Sequence, residues 1–343
     1  MSLVAGSYER FIWGYRLKRS NADPPLTITP LFSYPAHLSP VKAVAVAGPV
    51  AASAASDDSV KLYDLTTCSE LGSVLHHTSS VTSLSFFTPA SVSFPRNLLS
   101  ACEDGSVYIY DADPFVILKN VPVHKKGVND LAVHLSGRLA LTVGRDSCLG
   151  MVNLVRGRRS FFCRLGKEAT IVRFSLDGNR FFMGMENKIT VHEAEDAKFI
   201  CEFESPKRIL CAAAGETGLL FTGGEDRGIK AWDSRNGKCA YSIENAHSAR
   251  VKGLVVLTKN GEPGSTEDLY LLASASSDGV VRVWDIRVAN KEMPNPLAEA
   301  HTKSRLTCLA GSSLKCLEGS QTGMNVAKVE QHEATMEDAE RGI

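Results

Sequence analysis

The 343-residue chain has no run of 18 apolar residues and no charged-then-apolar N-terminal region. Neither a membrane-spanning helix nor a secretory leader is expected, and the chain reads as soluble and intracellular. It has no Cys-x-x-Cys pair. Its nine cysteines are an odd number, and most (Cys102, Cys148, Cys201, Cys211, Cys308) sit in apolar, strand-like runs. That pattern speaks for buried free thiols in a reducing compartment, against a disulfide framework or a zinc site. Nor is there an excess of charge, since 38 basic side chains balance 38 acidic ones. With no global field to gather nucleic acid or anionic membrane, any RNA contact has to be local. No phosphate loop is present either: GETGLLFTGGED is glycine-rich but lacks the required lysine, and its second half reads as strand and turn. No cofactor, metal, membrane or small-molecule substrate is expected.

What the chain does contain is repetition. In LLASASSDGVVRVWD, Leu271 to Ala275 and Val280 to Val283 are small, β-branched and apolar, and Ser277-Asp278-Gly279 between them is a turn signal. His247 precedes the stretch, so that His247, Ser274, Asp278 and Trp284 recur in fixed order. The same register gives Ser53, Asp57 and Tyr63; Ser100, Asp104 and Tyr110; and Thr222, Asp226 and Trp232. Thr142 and Asp146 fit a further copy that ends in Val152-Asn153. The weakest copy, RFFMGMENKITVH, offers Asn187 for the turn acid and Val191 at the aromatic position. Successive aromatic positions then lie 39 to 52 residues apart. Independently, His37, His77, His124 and His247 each stand four residues before a valine (Val41, Val81, Val128, Val251) that opens an alternating strand. This order resembles the fingerprint of WD-repeat blades, which implies an all-β, seven-bladed propeller.

Two fragments complete the count. LVAGSYERFIWGYRL at residues 3–17 is half a blade without its beginning, and Leu306 to Leu309, after His301, is a first strand with nothing following. Joined, they make one composite blade that closes the ring and leaves no open sheet edge between its ends. The propeller is thus expected over residues 1–311, with residues 312–343 as a disordered acidic tail. Two longer loops, Thr88 to Arg96 and Lys259 to Asp268, fall between the first and second strands of their blades, as partner contacts or as solvated insertions.

The recurring Ser, His and Asp invite a catalytic reading. A catalytic triad occurs once per site, however, whereas these residues return with the blade period, as internal hydrogen-bond networks would. No catalytic residue is expected. Function is expected instead on the face that carries the His and Asp turns, where Lys42, Arg145, Arg227, Arg250 and Arg305 mix with Asp58, Glu103 and Glu225. Mixed sign favours protein partners over nucleic acid. Arg156, Arg158 and Arg159, with Lys125-Lys126, are the local basic clusters able to meet RNA phosphate or an acidic peptide.

In this register the chain resembles the p21-activated protein kinase-interacting family of WD-repeat proteins, its plant members above all. The residues that carry the resemblance are LVAGSYERFIWGYRL, VHKKGVNDLAVHLSGRLALTVGRD, NLVRGRRSFF, and ASASSDG followed by RLTCL, over roughly residues 3–311. It implies a non-enzymatic adaptor of large ribosomal subunit assembly and rRNA maturation in the nucleus and nucleolus, with pre-ribosomal assembly factors as partners. For animal members it also implies inhibitory binding of a p21-activated-type protein kinase. The family's long lysine-rich C-terminal extension is replaced here by a short acidic tail, which weakens the expectation of nucleolar retention.

Overall fold

The computed structural model describes residues 1–19, 26–215, 218–259, 269–286 and 295–312. Ser312, expected to open the acidic tail, is instead the last residue of a paired strand; the rest of the tail, and all of the second long loop beyond Lys259, lie outside the described residues. The first hairpin pairs β1 (Ser2–Ser7) with β2 (Phe11–Arg19), and β3 (Leu26–Pro35) lies outside it. Blade 1 follows as β4 (Val41–Ala47), β5 (Val50–Ala55), β6 (Val60–Asp64) and β7 (Ser69–Val74). Blade 2 is β8 (Val81–Phe87), β9 (Asn97–Cys102), β10 (Ser106–Ala112) and β11 (Phe115–Pro122). Blade 3 is β12 (Val128–Val133), β13 (Leu139–Gly144), β14 (Cys148–Asn153) and β15 (Arg158–Arg164). Blade 4 is β16 (Ile171–Phe174), β17 (Arg180–Met185), β18 (Lys188–Glu193) and β19 (Phe199–Glu204). Blade 5 is β20 (Ile209–Ala214), β21 (Leu219–Gly224), β22 (Ile229–Asp233) and β23 (Lys238–Ile243). Blade 6 is β24 (Val251–Lys259), β25 (Leu269–Ser276), β26 (Val280–Asp285) and β27 (Ala298–His301), and β28 (Leu306–Ser312) ends the description.

All seven sheets are four-stranded and antiparallel, and the seventh has the order β28-β1-β2-β3. The chain therefore forms a seven-bladed propeller whose last described strand returns to its first hairpin. β28 pairs with β1 through Leu3↔Gly311, Val4↔Ala310 and Ala5↔Leu309, and it runs on to Ser312. Innermost strands touch in sequence around the ring, β28 meeting both β4 and β24.

Packing explains the sequence pattern. The second strand of each blade is buried along most of its length, and in β5 every residue of VAASAA is both small and buried. Only small side chains let neighbouring sheets approach so closely near the axis. The turn leading to the third strand then takes one residue with positive φ in every blade: Arg10, Asp58, Gly105, Ser147, Glu186, Arg227 and Gly279, at 54° to 89°. Glycine relieves that conformation without cost at Gly105 and Gly279, while the other five hold a side chain in the left-handed region.

One expectation is corrected by register. In blades 1, 2, 3 and 5 the pairing with the outermost strand slips immediately before Tyr63, Tyr110, Val152 and Trp232. In blade 4 the same slip falls between Val191 and His192. His192, not Val191, therefore holds the aromatic position, and the turn before it is shortened to Glu186-Asn187. This one-residue difference in hairpin length displaces any alignment made by counting.

Closure is sterically tight. A Cβ on Gly6 would lie 2.4 Å from Val41 Cγ1 and 2.8 Å from Cys308 Sγ. Gly6→Val is expected to destabilise the whole propeller by about 1–3 kcal/mol through overpacking, and removal of residues 1–17 to lower the midpoint of a single cooperative transition. Chemical denaturation followed by tryptophan fluorescence checks both.

Candidate interaction surface

Hydrogen bonding assigns roles to the recurring His, Ser, Asp and aromatic residues. In blade 6, Trp284 Nε1 donates to Ser274 Oγ (2.9 Å), Ser274 Oγ pairs with His247 Nε2 (2.8 Å), and His247 Nδ1 donates to Asp278 (3.2 Å). The carboxylate can only accept, so Nδ1 carries the proton and Nε2 accepts from the serine hydroxyl. Asp278 also receives Ser248 N (3.0 Å) and Val280 N (2.9 Å), which fastens the loop before β24 to the turn after β25. Burial opposes ionisation of Asp278, but its hydrogen bonds from His247 and these amides hold the carboxyl well below the usual range.

Blade 1 repeats the chain through Tyr63, Ser53, His37 and Asp57, at 2.8, 2.7 and 3.2 Å. Blade 3 keeps Thr142, His124 and Asp146, both links at 2.9 Å, and ends at the threonine, since Val152 has nothing to donate. Burial holds His37 and His124 below the ordinary histidine range, against the raising effect of their aspartates.

Elsewhere the members have changed partners. In blade 2, His77 Nε2 meets both Ser100 Oγ (2.7 Å) and the Tyr110 hydroxyl (3.2 Å). Asp104 instead accepts from the Tyr108 hydroxyl (3.1 Å), leaving His77 Nδ1 buried with no partner among the described residues. Burial outweighs the distant Asp104 charge and lowers His77 to about 4. In blade 5, Trp232 Nε1 donates to Thr222 Oγ1 (2.8 Å), but Ser205 stands where histidine would. The Lys230 ammonium fills the vacated space and bonds Asp226 (2.8 Å) and Ser205 Oγ (3.1 Å). Ser205 lies four residues before Ile209, the offset of the histidines, and that signal in the sequence was available. In blade 4, Asn187 bonds Glu204 and the Ser205 carbonyl, joining no such chain. In the composite blade the buried Thr302, not the exposed His301, takes the histidine place and donates to the Gly279 carbonyl (2.8 Å).

Lys42, Arg145, Arg227, Arg250 and Arg305 are all exposed. Arg145 and Arg227 sit in turns between second and third strands, and the other three at the start of innermost strands, so topology puts all five at one end of the propeller. Arg145 reaches Glu103 of blade 2 (2.7 Å), and Arg305 pairs with Glu9 (3.0 Å) while covering the Tyr8 ring (4.4 Å). No ion pair engages Lys42, Arg227 or Arg250 among the described residues. Lys252 beside them is lowered, first by burial and then by the Arg250 charge.

A buried carboxylate near the axis was not singled out from the sequence. Asp130 of β12 accepts from Ser83 Oγ of blade 2 (2.9 Å), Val172 N of blade 4 (3.0 Å) and the Arg173 guanidinium. It ties three blades together. Thr82 and Thr307 act similarly, donating across seams to Val128 O and Val41 O, each at 2.7 Å.

Seven radial four-stranded sheets with recurrent His-Ser-Asp-aromatic chains define a WD-repeat propeller. Residues 28–64, 68–111 and 237–285 match the WD domain, G-beta repeat family. The chain is 33% identical over 309 residues to a p21-activated protein kinase-interacting protein 1-like from Danio rerio, spanning 90% of this chain and 80% of that one. It is 31% identical over 313 residues to p21-activated protein kinase-interacting protein 1 from Homo sapiens, covering 90% and 76%. Protein MAK11 of Saccharomyces cerevisiae is 28% identical over 227 residues, covering 61% and 55%. The chain belongs to the p21-activated protein kinase-interacting protein 1-like family of WD-repeat proteins.

Two outcomes follow from the networks. Ser274→Ala strands the Trp284 indole N-H and His247 Nε2 in the interior and is expected to cost about 1–3 kcal/mol in denaturant titration. His77 is lowered in the folded state, so its contribution is complete above the unfolded histidine value and is lost as pH falls from about 6.5 toward 4. A His77→Asn variant should lose less stability over that window than the parent, by on the order of 3 kcal/mol at pH 4.

Proposed function

We propose that the protein is a non-enzymatic scaffold of large ribosomal subunit assembly, which holds assembly factors in the nucleus while precursor ribosomal RNA matures. The observation that carries a scaffold role is the use made of the reactive side chains: His37, His124 and His247 are consumed, with their serine, threonine and aspartate partners, inside the blades. What faces solvent at that end is a charged rim in which Lys42, Arg227 and Arg250 have no counter-ion among the described residues. The assembly role is supported by family membership that extends through the divergent blades 3 and 4, as the resemblance in those segments implied. A basic stretch at Arg156, Arg158 and Arg159 offers local contact with RNA phosphate.

A second reading, an inhibitory partner of a protein kinase, is favoured by the names of two of the three relatives above, which are called kinase-interacting proteins. Affinity purification separates the two. Co-purified pre-ribosomal proteins with precursor ribosomal RNA speak for assembly, and a kinase without either speaks for signalling. The rim is expected to bear the contact: a Lys42→Glu, Arg227→Glu, Arg250→Glu variant with unchanged melting temperature should capture the partner about tenfold less efficiently, a loss of about 1.4 kcal/mol in binding. Full capture by that variant would move the contact to another face.

A further inference from the structure

At the end of the propeller opposite the rim, a groove of about 610 Å³ opens between blades 3 and 4. Its floor is Leu141, Met151 and Phe161 from blade 3, and Phe174 and Phe181 from blade 4. Its wall is the β18–β19 turn, which carries Glu193, Glu195 and Asp196. The groove lies in a seam whose aromatic position is occupied by a smaller ring. Tyr63, Tyr110, Trp232 and Trp284 are buried in theirs. His192 lies flat on Phe181 (5.1 Å, 14°) and spends its nitrogens on the Ala197 carbonyl and Thr190 Oγ1. On the blade 3 side Phe161 is left 45% exposed, a large apolar ring on an outermost strand.

The polar groups around this floor divide into spent and unspent. His134 uses one ring nitrogen on Ser136 Oγ (2.8 Å) and the other on the Gly178 carbonyl (3.2 Å). Arg180 turns away, donating to Ser234 O and Oγ of blade 5 (both 3.3 Å). Glu193, Glu195 and Asp196 are exposed, and no salt bridge among the described residues neutralises any of them. An apolar, aromatic floor beneath three carboxylates that no salt bridge among the described residues engages sets this groove apart from the mixed-sign rim at the other end.

We propose that this groove docks a basic peptide segment of a partner protein, in which one bulky apolar side chain is flanked by lysine or arginine. The apolar side chain fills the space over Phe161 and Phe174, its burial supplying the affinity. Flanking cations meet Glu193 and Glu195 at the wall, where charge complementarity fixes orientation and speeds encounter, and a cation lying over the Phe161 face gains a further π contact. The volume is that of a site for a drug-sized ligand, and so suits several side chains of a short linear segment. This docking site stands whether or not the protein acts in ribosome assembly, because it uses neither the rim nor the basic cluster.

Fluorescence polarisation with a labelled Lys-Arg-Ser-Phe-Ser-Arg-Lys peptide tests the proposal. The intact chain should bind it at least about tenfold more tightly than peptides with Phe replaced by Ala, or with the four basic residues replaced by Glu. Phe161→Ser, and separately the isosteric pair Glu193→Gln with Glu195→Gln, should each weaken binding about tenfold at unchanged melting temperature. Arg227→Glu with Arg250→Glu, at the opposite end, should leave it unchanged. Absence of binding, equal binding of the three peptides, or indifference to both groove variants would overturn the proposal. So would self-association of the chain abolished by Phe161→Ser, which would make the occupant a second copy.

Discussion

No blade of this protein owns a hydrophobic core. Each of the seven buried clusters is shared by two neighbouring sheets: Leu62 and Val60 of blade 1 pack with Tyr108 and Tyr110 of blade 2, and Leu3 and Tyr15 pack with Leu257 and Leu271 of blade 6. A four-stranded sheet alone would expose both of its apolar faces, so stability exists only as a ring. That requirement explains why the N-terminal hairpin must meet β28. It also explains why the closing seam is so tightly built, with Gly6 against Val41 and Thr307 donating to the Val41 carbonyl. Closure joins the first and last described strands and makes them as structural as any in the middle.

The hydrogen-bonded chains fasten what packing has placed. Each joins a loop, a turn and two strands within one blade, and in a water-poor seam it has to be complete or be replaced. The copies show both outcomes. Blade 3 loses the aromatic donor and still ends cleanly, because Thr142 Oγ1 donates to the Gly150 carbonyl or to His124. Blade 5 loses histidine and recruits Lys230, which keeps Asp226 satisfied and makes the link an ion pair. Blade 2 is the incomplete case: Tyr108 has captured Asp104, and His77 stays neutral at physiological pH with one nitrogen unbonded among the described residues.

Those contrasts mark how much was legible in the residues. Repeat number, strand order and the composite blade follow from spacing and alternation, since a fixed offset between His and Val, or between Ser and the aromatic, survives substitution elsewhere. Position Val191 was misleading because counting assumes equal turns, whereas the Glu186-Asn187 turn is shorter and only the pairing slip reveals His192. Asp104 could not be separated from Asp57 by type or spacing; the competitor, Tyr108, lies four residues on in β10. Asp130 was invisible for another reason. It stands in an ordinary alternating strand, VNDLAV, and acquires meaning only when Ser83, Val172 and Arg173 converge on it from two other blades.

The same reasoning locates functional freedom. A seam filled by Trp232 or Trp284, with its indole hydrogen-bonded, tolerates little change. In the seam of blades 3 and 4 no Tyr or Trp is anchored; Phe181 stays in the shared core, but Phe161 and the acidic side chains at the end of β18 and in the turn after it are left exposed. Divergence from the repeat and an exposed, partly apolar surface thus arise together, because a side chain no longer required by the blade is available to something else. The rim follows the same logic from the opposite direction: the turns beneath it are held rigid by Asp57, Asp146 and Asp278, so the charged residues they carry are presented in a fixed arrangement. One end is organised by completed networks and the other by an unfilled seam, which makes the two ends chemically distinct surfaces on one closed ring.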